Sequence, residues 1–330
     1  MARVRVTGIE SRRAEAVARF AATMDQPGVR DAIDRLVESL WSSRISGEMS
    51  LHVLKAHRRR CTFAVAVETG DGTRSLIGKV YDVDRSDVFV AMQSIVQAGF
   101  GPSAECAIPV PLAYLPAFHV LLEEKVPGTQ AKAIFIDGER DRQIAAARRC
   151  GSWLARFHLT APRLGNVETP EGLVEQVRQW AHQMQSAGGL LADKAESLLR
   201  GLEDAAPGPD GPELRAAHGS YMPEHVMLSD HRAVTIDFDD YLVADPAHDV
   251  AWFIVFLAAL GLKNRGSLRA HDRSVDAFLQ AYVGSGPRNA LSHLSFYRAV
   301  ECLHWAYLDL SKRMPQWSEI MLEEGRRALG

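Results

Sequence analysis

The chain has 330 residues, 47% of them hydrophobic and 24% charged, with 38 lysines and arginines against 41 aspartates and glutamates for a formal net charge of −3. Those figures predict a globular protein long enough for one large core or two lobes and exclude a disordered or low-complexity chain. They also argue against general binding to nucleic acid or to an anionic membrane, although a basic run such as Arg58-Arg59-Arg60 can still form a local anion site.

The four cysteines, Cys61, Cys106, Cys150 and Cys302, are scattered without paired spacing, which fits reduced thiols in a cytoplasmic protein better than a disulfide framework or a zinc site. The N-terminal stretch has no apolar signal-like run. The most apolar segment, residues 250–262, is too short to span a bilayer and is expected as a core helix.

In chain order, apolar residues at helical spacing predict helices over 11–24 and 27–43, the second carrying Ile33, Leu36, Val37, Leu40 and Trp41. From residue 49 the period becomes two, and strands are expected over 50–56, 61–68 and 76–81, joined by turns at 56–60 and 69–74. Lys79 interrupts the apolar alternation of the third strand. A buried ammonium there needs a partner, while the same pattern fits a surface lysine whose stem lies on apolar neighbours. A helix over 84–98 follows, then a hairpin over 108–114 and 119–128 that ends in the Pro127-Gly128 break.

A long amphipathic helix is predicted over 140–160, with Ile144, Cys150, Trp153, Leu154 and Phe157 on one side. Helices near 172–187 and 190–202, a turn-rich loop at 205–212, and C-terminal helices around 272–283, 290–312 and 316–328 complete the second half. Between them lies the segment of most chemical interest. It reads as a polar loop from His218 to Glu224, a strand over 225–228, a turn over 229–232 and a strand over 233–238 that runs into Asp237, Asp239 and Asp240. Asp245-Pro246 then opens the apolar helix, the Asp side chain capping free N–H groups and the Pro losing no hydrogen bond. Carboxylates just past a buried strand end suit a hard cation such as Mg²⁺, which takes oxygen ligands and keeps phosphate and water in its shell. The segment is therefore a candidate phosphate–metal site.

His218-Gly219-Ser220, His225, Ile236-Asp237-Phe238-Asp239 and Asp245-Pro246-Ala247-His248-Asp249 together resemble the catalytic segment of the aminoglycoside phosphotransferase and choline kinase-like family, whose pattern is HGD, four residues, N, then IDF/W-D/E and DPAxD. The resemblance implies an α+β, two-lobed protein-kinase-like fold. Residues 1–122 would be a small β-sheet lobe with two leading helices, 123–128 a hinge, and 129–330 a helical lobe holding the catalytic and metal segment 217–249. It implies that Asp237 holds Mg²⁺, with Asp239 and His225 as further metal candidates. Lys79 would meet the phosphates of ATP or GTP, with Asp87 as its partner from the next helix. The backbone around Glu123, Glu124 and Val126 would meet the base, since LLEEKVPG resembles the family hinge. His218 would fix the loop and Asp249 anchor it, while WLARFH resembles LAxLH and makes His158 a packed core histidine. Two residues depart from the pattern. Ser220 stands in place of the catalytic Asp and His225 in place of the metal-binding Asn; moreover the turn at 56–60 carries arginines where the fold usually has glycines.

A serine cannot take a hydroxyl proton as a carboxylate does, so Asp239, Glu224 or His225 becomes the candidate base, His225 having the pKa nearest neutrality. Two functional classes follow. One is a phosphotransferase, dependent on Mg²⁺ and on ATP or GTP, acting on a hydroxyl of a small molecule such as an amino sugar or nucleoside, or on a peptide Ser or Thr. The peptide case rests on a likeness to kinase-like partners of the lyases in class V lanthipeptide and thioamitide biosynthesis, and would bring a protein partner from that pathway. The other is a pseudokinase that binds nucleotide, peptide or partner without turnover. Lys79, Asp237 and Asp239 favour the enzyme; Ser220, His225 and the absent glycine-rich turn favour the pseudokinase.

Overall fold

Alternating apolar side chains build the sheet of the N-terminal half. Along one strand Cys61, Phe63, Val65 and Val67 are all buried while their neighbours are not, the period that turns one strand face to a core. The structure is a computed structural model that describes residues 5–7, 14–186, 188–208 and 213–330. The chain divides into two units, residues 1–127 and 128–330, and the stretch 123–128 expected as a hinge spans that division.

The first unit contains β1 (Arg5–Thr7), α1 (Ala14–Met24), α2 (Pro27–Trp41), β2 (Ile45–Ala56), β3 (Arg60–Thr69), β4 (Gly72–Tyr81), α3 (Ser86–Ile95), β5 (Cys106–Ala107), β6 (Pro111–Leu115) and β7 (Val120–Glu124). Six strands form one sheet in the order β1-β2-β3-β4-β7-β6, antiparallel except for β1 beside β2. One face of it meets α1 and α2 through Phe20, Met24, Val29, Ile33 and Val37. The expected helix 11–24 is found from Ala14, residues 11–13 lying outside the described residues. The second ends at Trp41, not 43, because Ser42 takes a left-handed φ of 49° and closes the last turn onto Glu38. The expected helix 84–98 is α3 followed by a wider turn at Val96–Phe100, where Gly99 has a φ of 100°.

The second unit runs through β8 (Thr129–Gln130), α4 (Ala131–Asp137), α5 (Arg140–Thr160), α6 (Pro170–Gln185), α7 (Gly189–Asp204), β9 (Arg215–Ala217), β10 (Val226–Leu228), β11 (Ala233–Thr235), β12 (Leu242–Ala244), α8 (Ala247–Arg265), α9 (Asp272–Ser285), α10 (Leu294–Ser311) and α11 (Pro315–Leu329). The mixed α+β architecture, a mainly antiparallel sheet and a mainly helical unit, is the one expected. Part of the loop at 205–212, residues 209–212, lies outside the described residues. The expected strand 233–238 is shorter. It stops at Thr235 because Asp237 adopts a left-handed φ of 68°, which no ladder tolerates, and Phe238–Asp240 coil into a single 3₁₀ turn. The apolar run 250–262 is the body of α8, whose apolar window is 78% buried, the situation of a core helix. Cys61, Cys150 and Cys302 are unpaired and buried, and burial pushes their thiols up, Cys61 to about 11 and Cys150 to about 12, so these three are packing residues.

α5 and α9 approach at Gly151, where a Cβ would lie 2.3 Å from the carbonyl oxygen of Phe278. That oxygen belongs to a helix backbone and cannot turn aside. Gly151→Ala is expected to destabilise the protein by about 1–3 kcal/mol through overpacking, read from chemical denaturation. An unchanged midpoint would show that the two helices separate freely.

Candidate active site

The loop that follows β9 is fixed from below by one carboxylate. Asp249, in the first turn of α8 and wholly buried, accepts the backbone N–H groups of His218 at 2.7 Å and Gly219 at 2.9 Å. Its other donor is His158 of α5, whose Nε2 lies 3.0 Å away while Nδ1 meets the Tyr282 hydroxyl at 2.8 Å. Burial by itself would raise the Asp249 carboxyl, but the His158 hydrogen bond and the surrounding imidazoles hold it below its ordinary value. His158 is thus a packed histidine, and also the side chain that orients the anchor.

His218 crosses the loop. Its Nε2 donates to the carbonyl of Ile236 at 3.0 Å, and burial lowers its pKa, so the ring is neutral. Gly219 has a φ of 81°, and a Cβ there would lie 2.1 Å from the Asp240 carbonyl oxygen. Only glycine permits that approach, which brings the loop against the 3₁₀ turn bearing Asp239 and Asp240. Tyr221 pins the far side, its hydroxyl donating to the Cys150 carbonyl at 2.9 Å and its ring lying between Trp153 and Phe253.

On this frame sit the predicted site residues. Ser220 is buried, and its Oγ has no hydrogen-bond partner among the described residues. Its carbonyl accepts from Nδ1 of His225 at 2.9 Å, and Nε2 of that ring lies 3.5 Å from Oδ2 of Asp237. These two groups fit one divalent cation between them. Asp239 is buried on the 3₁₀ turn, yet no third His, Cys, Asp or Glu among the described residues joins the pair as a metal-binding group. A cation there would complete its shell with phosphate and water, as Mg²⁺ commonly does. Glu224, considered as a base, instead pairs with Lys132, and its carbonyl takes Gln130.

In the first unit Lys79 is 4% exposed, which rules out the surface-lysine alternative. Its partner is not Asp87. That carboxylate is 66% exposed and pairs with Arg85 two residues away, because it faces outward from the first turn of α3. Lys79 lies 3.6 Å from Glu123 on β7, two positions along from its cross-strand neighbour Leu121 and therefore on the same sheet face. Glu123, expected to contribute only backbone, contributes its side chain. The Glu124 N–H is taken by the Val110 carbonyl at 2.9 Å, and its carboxylate accepts from the Val110 N–H at 3.2 Å. Val126 lies half-buried beyond the strand end. In the arginine turn, Arg59 pairs with Asp82 at 2.9 Å.

Sequence reasoning passes over His248. It is buried with Nδ1 3.2 Å from Glu168 and Nε2 3.8 Å from Glu301, which also meets His304. Burial disfavours the imidazolium, but Glu168, Glu301 and Asp249 more than offset this and lift the pKa to about 10. The indole N–H of Trp252, 3.0 Å from Nε2, would instead favour a neutral ring. Opposite charges 3.2 Å apart attract by about 5 kcal/mol at an effective dielectric of 20, more than the ~1–3 kcal/mol of a lost hydrogen bond, so the charged ring prevails. The sole sequence signal is a histidine inside DPAxD; its carboxylates come from 80 residues before and 53 after.

Two outcomes are expected. Asp249→Ala leaves two buried N–H groups and an imidazole without their acceptor and should remove roughly 3–5 kcal/mol of stability; a loss under about 1 kcal/mol in denaturant would take the anchoring role from it. Since the folded pKa of His248 lies above the ordinary 6.5, its stabilisation is complete below that pH and lost as pH rises through about 10. Glu168→Gln should lower the melting temperature at neutral pH and flatten that alkaline decline, whereas overlapping pH profiles of variant and parent would refute the charged pair.

Residues 65–291 match APH, the phosphotransferase enzyme family. No curated protein sequence matches the chain. The fold is similar to that of a choline/ethanolamine kinase family protein from Mesorhizobium loti, 15% identical, with a TM-score of 0.60 over 95% of this chain and 94% of that one. It is similar too to a thermostable mutant of the aminoglycoside phosphotransferase APH(4)-Ia in a ternary complex with AMP-PNP and hygromycin B, 14% identical, TM-score 0.59, covering 90% and 98% of the two chains. Glucosamine kinase in complex with glucosamine, ADP and inorganic phosphate is 15% identical, TM-score 0.56, over 84% of this chain and 80% of that one. With the fold reproduced in these structures and a match that spans more than half of its length, the chain belongs to the phosphotransferase enzyme family.

Proposed function

We propose that this chain transfers the terminal phosphoryl group of a nucleoside triphosphate, ATP or GTP, to a hydroxyl of a small molecule. The observation that carries the reading is the Asp249-anchored loop, which sets a buried Ser220 hydroxyl and the His225–Asp237 donor pair beside one another. In the transfer the acceptor oxygen bonds to the γ-phosphorus as the bond to the β-phosphate bridging oxygen breaks, and the hydroxyl proton passes to a phosphoryl oxygen or to water. A loose transition state of this kind depends chiefly on positioning and charge stabilisation, so the absence of a carboxylate at residue 220 is compatible with turnover.

Asp237 and His225 would hold the divalent cation that neutralises phosphate charge when bound. Lys79, kept in place by Glu123, supplies a fixed positive charge for phosphate, and Ser220 Oγ orients the acceptor hydroxyl. The acceptor is a small amine-bearing alcohol. A cavity of about 250 Å³ in the second unit is lined by Glu168, Glu171, Asp245, His293 and Tyr297, and its carboxylates suit a cation. Relatives of similar fold hold glucosamine or hygromycin B, which supports the same class. The pseudokinase reading keeps as its support Ser220, His225 and the arginines in the turn at 56–60.

Calorimetric titration of ATP and GTP, with Mg²⁺ and with EDTA, tests the proposal. Binding is expected to require the cation and to weaken by about tenfold or more, ~1.4 kcal/mol, in Asp237→Asn. Metal-dependent binding followed by phosphate transfer to amino alcohols supports the enzyme. Binding without any transfer makes the protein a pseudokinase, and no binding at all removes the site.

A further inference from the structure

We infer that Lys132 and Gln130 are positioning residues, which act through Glu224 to set His225 and Ser220 at the far end of the loop that Asp249 anchors. The consequence for turnover rests on the phosphotransferase reading of that loop.

Three observations carry it. Glu224 precedes His225 in the 3₁₀ turn Pro223–His225 and is held by side chain and backbone together. Nζ of Lys132 donates to its carboxylate, and Nε2 of Gln130 donates to its carbonyl at 2.6 Å. Next, both donors stand on a paired strand and the helix it enters. Gln130 ends β8 opposite Met227 of β10, the strand that follows the turn, and Lys132 lies in the first turn of α4 directly after. Finally, the Lys132 ammonium lies 5.9 Å from the ring centre of the buried Phe256, within reach of a cation–π attraction. Phe256 stands two turns after Asp249 on α8 and on the same side of that helix. One helix therefore references both ends of the loop: Asp249 holds the N–H groups of residues 218 and 219, and Phe256 supports the lysine that holds residue 224.

Stability does not account for this clamp. The Lys132 and Glu224 side chains are 32% and 34% exposed, and an ion pair that open to water adds little to folding. Direction is what it supplies. The carbonyl that Gln130 holds belongs to the peptide group joining Glu224 to His225, so the clamp fixes where the imidazole starts and hence its hydrogen bond to the Ser220 carbonyl at 2.9 Å. A reaction that depends on positioning loses about 10²-fold for a displacement of roughly 1 Å.

Lys132→Met keeps the stem and removes the charge. In ¹⁵N-histidine-labelled protein, the imidazole resonances of His225, assigned by their loss in His225→Asn, should shift or broaden in this variant. They should return in the charge-exchanged pair Lys132→Glu with Glu224→Lys. In Lys194→Met, which breaks another lysine–glutamate contact, between α7 and α11, they should stay in place. The denaturation midpoint of Lys132→Met should hardly move and its affinity for Mg²⁺–ATP should stay within about twofold, while phosphate release from ATP, the transfer with water as acceptor, slows by about tenfold or more. His225 resonances that are unchanged in Lys132→Met, that move as far in Lys194→Met, or that move while phosphate release keeps the parent rate overturn the inference. A parent protein that neither binds nor cleaves ATP overturns the phosphotransferase reading instead, and the His225 resonances then decide the clamp by themselves.

Discussion

The second unit depends on a carboxylate that never meets solvent. Asp249 stands at the head of an apolar core helix and holds two consecutive backbone N–H groups of a loop that would otherwise place unpaired donors in the interior. Such donors carry the full desolvation penalty when left alone. Because the acceptor is ionised and itself braced by His158, the loop has one low-energy path, and that path requires glycine at 219 and a bent backbone at Asp237. The positions of Ser220, His225 and Asp237 follow from it. A flexible polar loop has become a rigid one through a single buried charge with three donors.

Elsewhere, buried charge is managed by pairing. Lys79 and Glu123 share one face of the first unit's sheet, where an isolated ammonium would be costly. Both members stand on adjacent strands of that sheet, β4 and β7. In the second unit His248 stands between Glu168 and Glu301, so that one positive charge balances part of a dense acidic region bordering the small cavity.

Much of the loop was legible because its determinants are close together in the chain. Gly219 announces a conformation that other residues avoid, Asp245-Pro246 announces a helix start, and Asp245 does accept the Ala247 N–H at 2.8 Å. Strand alternation over 61–68 and the amphipathic stripe of 140–160 were likewise visible, since each reflects burial along a single element. What was not legible was pairing between elements. Asp87 was the acid that the first turn of the expected helix offered Lys79, yet it points outward, and a partner comes from a strand 44 residues later. Glu224 appeared available as a base, yet Lys132 lies beside it.

By itself, then, the sequence determined the periodicities, the breaks and the run of HGS, DFD and DPAHD that places the chain among kinase-like folds, because these are properties of neighbouring residues and of the backbone conformations they permit. Only the tertiary structure decided which charges meet. Ion pairs and metal donors join groups from distant elements, their strength varies steeply with separation and burial, and a shift of one strand position or one helix turn exchanges a buried partner for a solvated one.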